Sequence, residues 1–315
     1  MKIIVTGGAG FIGSHLVKRL IQENHDVYVI DCLHPYYSPQ RKKKQLENVA
    51  SFGSFHFFQK DLLDREEMVT IFKQISPHVV VHLAALPGVA YSIEEPLKYV
   101  DYDIKATINV LEASGKAGVS KIVFASSSSV YGNQSGPFKE EMANGKVISP
   151  YAASKYSAES YCHVYEYLYG FQVNILRFFT VYGPWGRPDM AIGSFIKKLM
   201  NGEEITLFGD GRARDFTYID DIVNGIYLSI NQLMKSEIIN IGSGRPILMD
   251  TLLAELKRHF PDMKINKEAS RVGDVVNTWA DISKAKQLLG FEPKVDFIKG
   301  LSETVKWAKE NETIL

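Results

Sequence analysis

The first thirteen residues restrict the architecture more than any other stretch of the 315-residue chain. Lys2–Thr6 is a short β-branched run, and Gly7-Gly8-Ala9-Gly10-Phe11-Ile12-Gly13 follows it directly and opens a helical pattern. Glycines three apart between a strand and a helix meet three separate needs. Gly7 permits a tight turn, Gly10 lets backbone approach a ligand closely, and Gly13 lets helix and strand pack together. The N–H groups of Phe11 and Ile12 then lie at a helix N-terminus, where unpaired donors and the helix dipole favour phosphate oxygens. Asp31, at the end of the second strand, can accept from ribose hydroxyls. It would also repel a 2′-phosphate, and Cys32 beside it supplies no cation, so NAD is expected rather than NADP.

The rhythm that follows supports the same architecture. β-Branched runs at Lys2–Thr6, Asp26–Ile30, Phe55–Gln59, His78–His82, Lys121–Ala125 and Gln172–Phe178 alternate with helical patterns near 11–23, 64–75, 97–117 and 151–169. Such alternation predicts an α/β fold, a doubly wound (Rossmann) parallel sheet. After Phe179 the rhythm loosens into a Gly/Pro-rich loop and shorter elements, which predicts a smaller C-terminal α/β substrate lobe. The expected division is residues 1–179 with about 215–245 in the dinucleotide-binding domain, and about 180–214 with 246–315 in the substrate lobe. At strand ends of the first domain, Asp61 can accept from an adenine amino group, and Leu83, Ala84 and Ala85 are small enough for close approach. Leu62 and Phe178 complete the expected cofactor lining. The run Arg41-Lys42-Lys43-Lys44 reads as a solvated loop or a helix start.

Composition excludes several classes. Lys+Arg and Asp+Glu balance at 36 each, so no global field draws nucleic acid. No apolar run approaches the ~18 residues of a membrane span. The two cysteines, Cys32 and Cys162, have no metal-ligand spacing and suggest a reducing compartment, so a cytoplasmic protein without a metal is expected.

The chemistry is expected at Tyr151-Ala-Ala-Ser-Lys155, which puts a phenol and an ammonium four residues apart on one helix face. A tyrosine with an ordinary pKa near ~10 is a poor base at neutral pH. An adjacent ammonium and a positively charged nicotinamide both favour the phenolate. About three pKa units correspond to roughly 4 kcal/mol, within reach of two cations in a dry cleft. Ser126-Ser127-Ser128-Ser129 ends the fifth strand at the carboxyl edge of the sheet, where such folds place ligands.

Taken in this order, these motifs resemble the extended short-chain dehydrogenase/reductase family, the nucleotide-sugar epimerases and dehydratases. The resemblance runs from Gly7–Gly13 to Trp279-Ala280-Asp281. It implies a catalytic triad of Ser127 (four residues before Tyr131 of Val-Tyr-Gly), Tyr151 and Lys155. Tyr151 would remove the sugar's 4-hydroxyl proton while hydride passes from C4 to NAD. It further implies that Arg214, Arg271 and Asp274 hold the diphosphate and ribose of a UDP-sugar and that Phe208 lies beside the uracil. Paired guanidinium donors suit a diphosphate.

Which reaction follows is read from departures within the family. Dehydratases carry Asp-Glu where this chain has Ser128-Ser129, and two hydroxyls lack the acid and base for eliminating water. The loop Arg177–Met190, together with Gly88–Ile93 and Asp31–Leu46, resembles the UDP-glucuronate 4-epimerases. The uronate carboxylate would then be held by Ser128, Ser129 and Thr180, with Arg187 adding charge. A grip of this kind would restrain loss of CO2 from a 4-keto uronate. The expected reaction is epimerisation of UDP-glucuronate to UDP-galacturonate through a transient 4-keto sugar. A UDP-glucuronate decarboxylase or another UDP-hexose 4-epimerase is the alternative. Pro87 replaces a polar residue that galactose epimerases place on the ribose. Asp103 and Ala106 stand where the family commonly has asparagine and glycine. Asp103 is read either as a charge near the nicotinamide and Tyr151 or as a solvent-facing residue. Tyrosines 161, 165 and 169 recur every four residues and read as core or subunit-contact packing, and the resemblance implies a homodimer.

Overall fold

The computed structural model describes residues 1–209, 211–269 and 277–314. Strands β1 (Lys2–Thr6), β2 (Asp26–Ile30), β3 (His56–Phe58), β4 (Val79–His82), β5 (Lys121–Ser127) and β6 (Gln172–Phe178) follow the sequence reading closely. The remaining strands are β7 (Thr180–Tyr182), β8 (Ile205–Phe208), β9 (Ala213–Tyr218), β10 (Glu237–Ile241), β11 (Pro246–Leu248), β12 (Ile265–Glu268) and β13 (Asn277–Thr278). Helices α1 (Phe11–Gln22), α2 (Pro39–Ala50), α3 (Arg65–Ile75), α4 (Val89–Glu94), α5 (Pro96–Tyr99), α6 (Ala106–Lys116) and α7 (Pro150–Tyr169) lie in the first half. They are followed by α8 (Ala191–Met200), α9 (Ile219–Gln232), α10 (Met249–His259), α11 (Ser283–Leu289) and α12 (Phe297–Glu310).

The large sheet has seven strands in the order β10-β6-β5-β4-β1-β2-β3, and every pair in it is parallel. The fold is therefore the doubly wound α/β class. Its central strands are apolar on both faces, as expected where helices cover both sides. Ile3, Val5, Val79 and Val81 pack into one core cluster with α1, whereas Ile4, Val80, Ile122 and Phe124 pack into another with α3 and α6. The seventh strand, Glu237-Ile-Ile-Asn-Ile241, is absent from the sequence reading. It reaches the sheet edge beside β6 through α9, beyond the regular βα rhythm.

Parallel strands bring all their carboxyl ends to one rim. The Gly7 turn, Asp31, Leu83 and Ser127 stand there, and Ser127 pairs in register with Phe178. Above this rim sits a second sheet of β7, β9, β11 and β13, and a ribbon of β8 and β12.

The basic run corrects its solvated reading. Ser38 caps α2 by accepting from Arg41 N–H at 3.3 Å, with Pro39 at the first turn, so the run does start a helix. Arg41 and Lys42, however, are buried, and only Lys43 and Lys44 are exposed. Arg41 Nη2 donates to Gly186 O at 2.7 Å, and its guanidinium lies over the rings of Trp185 and Trp307. Lys42 Nζ donates to His34 O at 2.9 Å. Long stems bury readily once their polar heads are hydrogen-bonded.

Candidate active site

The glycine turn is as tight as its spacing predicts. Gly7 has φ +70°, and a Cβ there would lie 2.7 Å from Ala84 N. A Cβ on Gly13 would lie 2.2 Å from Gly7 O, so the helix start tolerates no side chain there. Asp31 is buried and accepts from Ala9 N at 3.1 Å and Leu33 N at 2.8 Å. A carboxylate offers about four acceptor positions, so capacity remains for ribose hydroxyls. The two lysines nearby are not spare for a 2′-phosphate. Lys42 is engaged at His34 O, and Lys60 is paired with Glu67. Asp61 Oδ1 accepts from Leu63 N at 2.9 Å. Gly10, Phe11, Ile12, Leu62, Leu83, Ala84 and Ala85 line the same cleft, of about 930 Å³, which continues to Phe178. This turn, acceptor and groove fit a dinucleotide.

The same cleft is lined by Ser127, Tyr151 and Lys155. Ser149 caps α7 by accepting from Ala152 N at 3.2 Å, and Pro150 opens its first turn, so Tyr151 enters at the helix mouth. Lys155 is buried one turn later, its Nζ donating to Ala125 O at 3.0 Å. Ser127 Oγ accepts from Ser129 N at 3.2 Å and lies 3.0 Å from Ser129 Oγ. Behind this serine rim runs a buried network that sequence reasoning missed. Glu159 Oε1 accepts from Ser126 Oγ at 2.5 Å, and Arg177 grips both Glu159 oxygens at 2.9 and 2.7 Å. Arg177 Nη1 also donates to Tyr131 Oη at 3.1 Å and to Glu140 O at 2.7 Å. Burial works against the Arg177 charge, yet the Glu159 pairing and the Tyr131 contact outweigh it and hold the guanidinium above its ordinary value. An arginine within the apolar run Asn174-Ile-Leu-Arg-Phe-Phe179 was the available sign.

Ser128, Ser129, Thr180 and Arg187 all line the same cleft. Arg187 is not poised to give its whole charge to a substrate. Its Nε donates to Asp189 Oδ1 at 3.0 Å and its Nη2 to Asp189 Oδ2 at 2.5 Å. Tyr36 Oη donates to the same carboxylate at 2.9 Å. A paired arginine of this kind presents a largely neutral unit. Asp189 and Tyr36 lie within the stretches Arg177–Met190 and Asp31–Leu46 that carry the resemblance, but no role was expected of either. Phe208 and Arg214 line the cleft as well, joined by Arg212 and Lys198. Arg271 and Asp274 lie outside the described residues. Asp103 does not face solvent. It is buried and hydrogen-bonded on both oxygens.

Known proteins are similar to this chain over nearly its whole length. Residues 3–242 match the model of the NAD dependent epimerase/dehydratase family. A UDP-glucuronate 4-epimerase of Thermodesulfobacterium geofontis is 44% identical over 98% of this chain and 96% of its own. The crystal structure of the Bacillus cereus UDP-glucuronic acid 4-epimerase with UDP-glucuronic acid and NAD superposes with a TM-score of 0.92. It is 37% identical, over 98% of this chain and 99% of that one. A UDP-glucose 4-epimerase from Thermotoga maritima, crystallised with UDP-glucose, has a TM-score of 0.90 at 36% identity, covering 99% and 100% of the two chains. The chain belongs to the NAD-dependent epimerase/dehydratase family.

Proposed function

We propose that the protein inverts C4 of UDP-glucuronate to give UDP-galacturonate, with NAD retained through the cycle. The observation that carries this reading is the single cleft that joins the dinucleotide turn to Ser127, Tyr151 and Lys155, with hydroxyls rather than carboxyls at positions 128, 129 and 180. When bound, NAD supplies a reversible hydride acceptor at C4. Gly7, Gly10 and Gly13 with the Phe11 and Ile12 amides would seat its pyrophosphate, Asp31 its ribose, and Asp61, Leu62, Leu83, Ala84, Ala85 and Phe178 its rings. Tyr151, beside the Lys155 ammonium, accepts the 4-hydroxyl proton and later returns it, and Ser127 shares that proton. Ser128, Ser129 and Thr180 hold the C6 carboxylate in a fixed orientation, which restrains decarboxylation of the 4-keto sugar. Arg187 contributes as the Arg187–Asp189 pair rather than as a lone cation. Arg214, Arg271 and Asp274 would hold the diphosphate and ribose, with Phe208 beside the uracil.

Incubation with UDP-glucuronate, followed by NMR, is expected to yield UDP-galacturonate without a stoichiometric redox partner. Predominant UDP-pentose would replace this reading with a decarboxylase. Turnover of UDP-glucose in preference to the uronate would replace it with a hexose epimerase.

The same reading includes a homodimer. Leu97 on α5 is 77% exposed, and Val164 and Leu168 on α7, against which α5 packs, are 50% and 61% exposed. Exposed apolar side chains of this size favour burial against a partner. Tyr161 is exposed like Val164 and Leu168, whereas Tyr165 stacks on Tyr169 and Tyr169 on Phe171. Light scattering at micromolar concentration should give twice the chain mass, and a monomer mass would refute the dimer. A cytoplasmic location belongs to the same proposal. Among the described residues no helix is long and apolar enough to cross a membrane, and both cysteines are free thiols.

A further inference from the structure

Between α5 and α6 the chain widens into a π-helical stretch, Val100–Lys105. Such widened turns recur at functional sites, where they re-aim a side chain. Here the side chain is Asp103, which is 1% exposed. Its Oδ1 accepts from Leu86 N at 2.8 Å, and its Oδ2 lies 2.7 Å from Ser154 Oγ. Leu86 belongs to the segment that lines the cofactor cleft, and Ser154 precedes Lys155 on α7. One turn before Asp103, Tyr99 Oη reaches Pro87 O at 2.7 Å and Gly88 O at 2.9 Å. The Tyr99 ring meets the Tyr151 ring edge-on, with centroids 6.1 Å apart. One carboxylate thus ties the cleft-lining segment to the catalytic helix, within a wall already anchored by Tyr99.

We propose that Asp103 is a positioning residue that sets the pH range of the reaction: it braces Leu86 against α7 and, as a buried anion, offsets the Lys155 ammonium that Tyr151 depends on. The proposal rests on the epimerase reading and deepens it.

The groups facing Asp103 from the elements around it are few. Lys155 approaches from α7, Tyr99 from α5, and His82 from β4 by way of Thr107. His82 Nε2 lies 3.0 Å from Thr107 Oγ1, which donates to Asp103 O. Burial, with Lys155 adding to it, holds His82 down at about 3, so it is neutral in any working buffer. Burial pushes the Tyr99 phenol well up, so it too stays neutral. Asp101 and Lys105 on the same stretch face solvent and pair with each other. Lys155 is therefore the only charge among these neighbours that answers Asp103. Burial drives the Asp103 carboxyl up, and Lys155 together with the Ser154 and Leu86 hydrogen bonds opposes that.

The sign of the effect is direct. An anion near Lys155 weakens the positive field at the point where the substrate proton is taken. Removing that negative charge while keeping the shape should move the acidic limb of the rate profile to lower pH. Asp103→Asn does this, since an amide can still accept from Leu86 N–H and donate to Ser154 Oγ.

The test is the pH dependence of kcat/KM for UDP-glucuronate, read by product NMR, in the NAD-loaded enzyme. Asp103→Asn is expected to shift the acidic limb down by about one pH unit. Asp103→Ser, neutral and with room for a water, should shift it the same way, and guards against the amide failing to pack. Asp103→Glu, which keeps the charge, should keep the wild-type limb even if turnover slows. Superposed limbs for the wild type and either neutral variant would overturn the proposal, as would an equal shift in the glutamate variant. Absence of turnover by the wild type defeats the epimerase reading itself, whereas turnover with superposed limbs defeats only the role of Asp103.

Discussion

Replacing Tyr151 with phenylalanine should lower kcat by about 10²–10⁴-fold, the usual range for removing a positioned acid–base group. Binding of the UDP-sugar should change by no more than a few fold. The substitution deletes one oxygen and leaves the scaffold around it untouched. The ring keeps its edge-on contact with Tyr99, and Tyr99 still holds Pro87 O and Gly88 O. Lys155 remains anchored at Ala125 O, so its ammonium does not collapse into the space. What disappears is the group proposed to take the 4-hydroxyl proton and give it back. An interaction needed only in the transition state lowers kcat and kcat/KM together and spares substrate affinity. Single-turnover kinetics with calorimetric binding of UDP-glucuronate would separate the two. A loss below tenfold, or a parallel loss of affinity, would remove Tyr151 from the chemistry.

Tyr151 was legible in the sequence because its role depends on local geometry. A helix puts residues four apart on one face, and a strand end puts its last residues at the sheet rim, whatever the rest of the chain does. The glycines at 7, 10 and 13 were legible for the same reason, since each answers a backbone constraint within a few residues. Nearly every residue expected to touch cofactor or substrate lies on one cleft, and only Arg271 and Asp274 lie outside the described residues. What stayed hidden depends on partners distant in sequence. The Arg187 charge is modified by Asp189, two residues away, but Tyr36 completes that cluster from 153 residues earlier in the chain. The burial of Arg41 depends on Trp185 and Trp307, and no periodicity reports such a meeting. The inward turn of Asp103 needed the π-helical widening, which has no signature that a pattern of apolar residues would reveal. Strand β10 was missed because its partner, β6, lies some sixty residues earlier and the intervening chain also builds the upper sheet.

The buried pair behind the serine rim leads to a second large effect, on stability. Glu159→Gln should destabilise the protein by about 3–5 kcal/mol, because it strands a buried guanidinium without its counter-charge. Arg177 and Glu159 side chains are 3% and 5% exposed, so water cannot replace the lost partner. The cost arises from asymmetry rather than from strong intrinsic attraction, since two buried charges also lose their hydration. Replacing both residues by apolar ones of similar volume, Arg177→Met with Glu159→Leu, should therefore recover much of the loss. It should not recover all of it. Ser126 Oγ, Tyr131 Oη and Glu140 O would each lose a partner that the pair now supplies, and an unsatisfied buried polar group costs about 1–3 kcal/mol. Tyr131 keeps its 2.5 Å hydrogen bond to Asn240 Oδ1, so its share of the residual cost is the smallest. Urea unfolding at one fixed, saturating NAD concentration would measure the three proteins on a common footing, since bound cofactor adds stability by mass action. A double variant as unstable as the single one would show that the ion pair is itself a net source of stability, contrary to this account. A single variant within about 1 kcal/mol of wild type would show instead that Arg177 finds another partner in the Tyr131–Asn240 network.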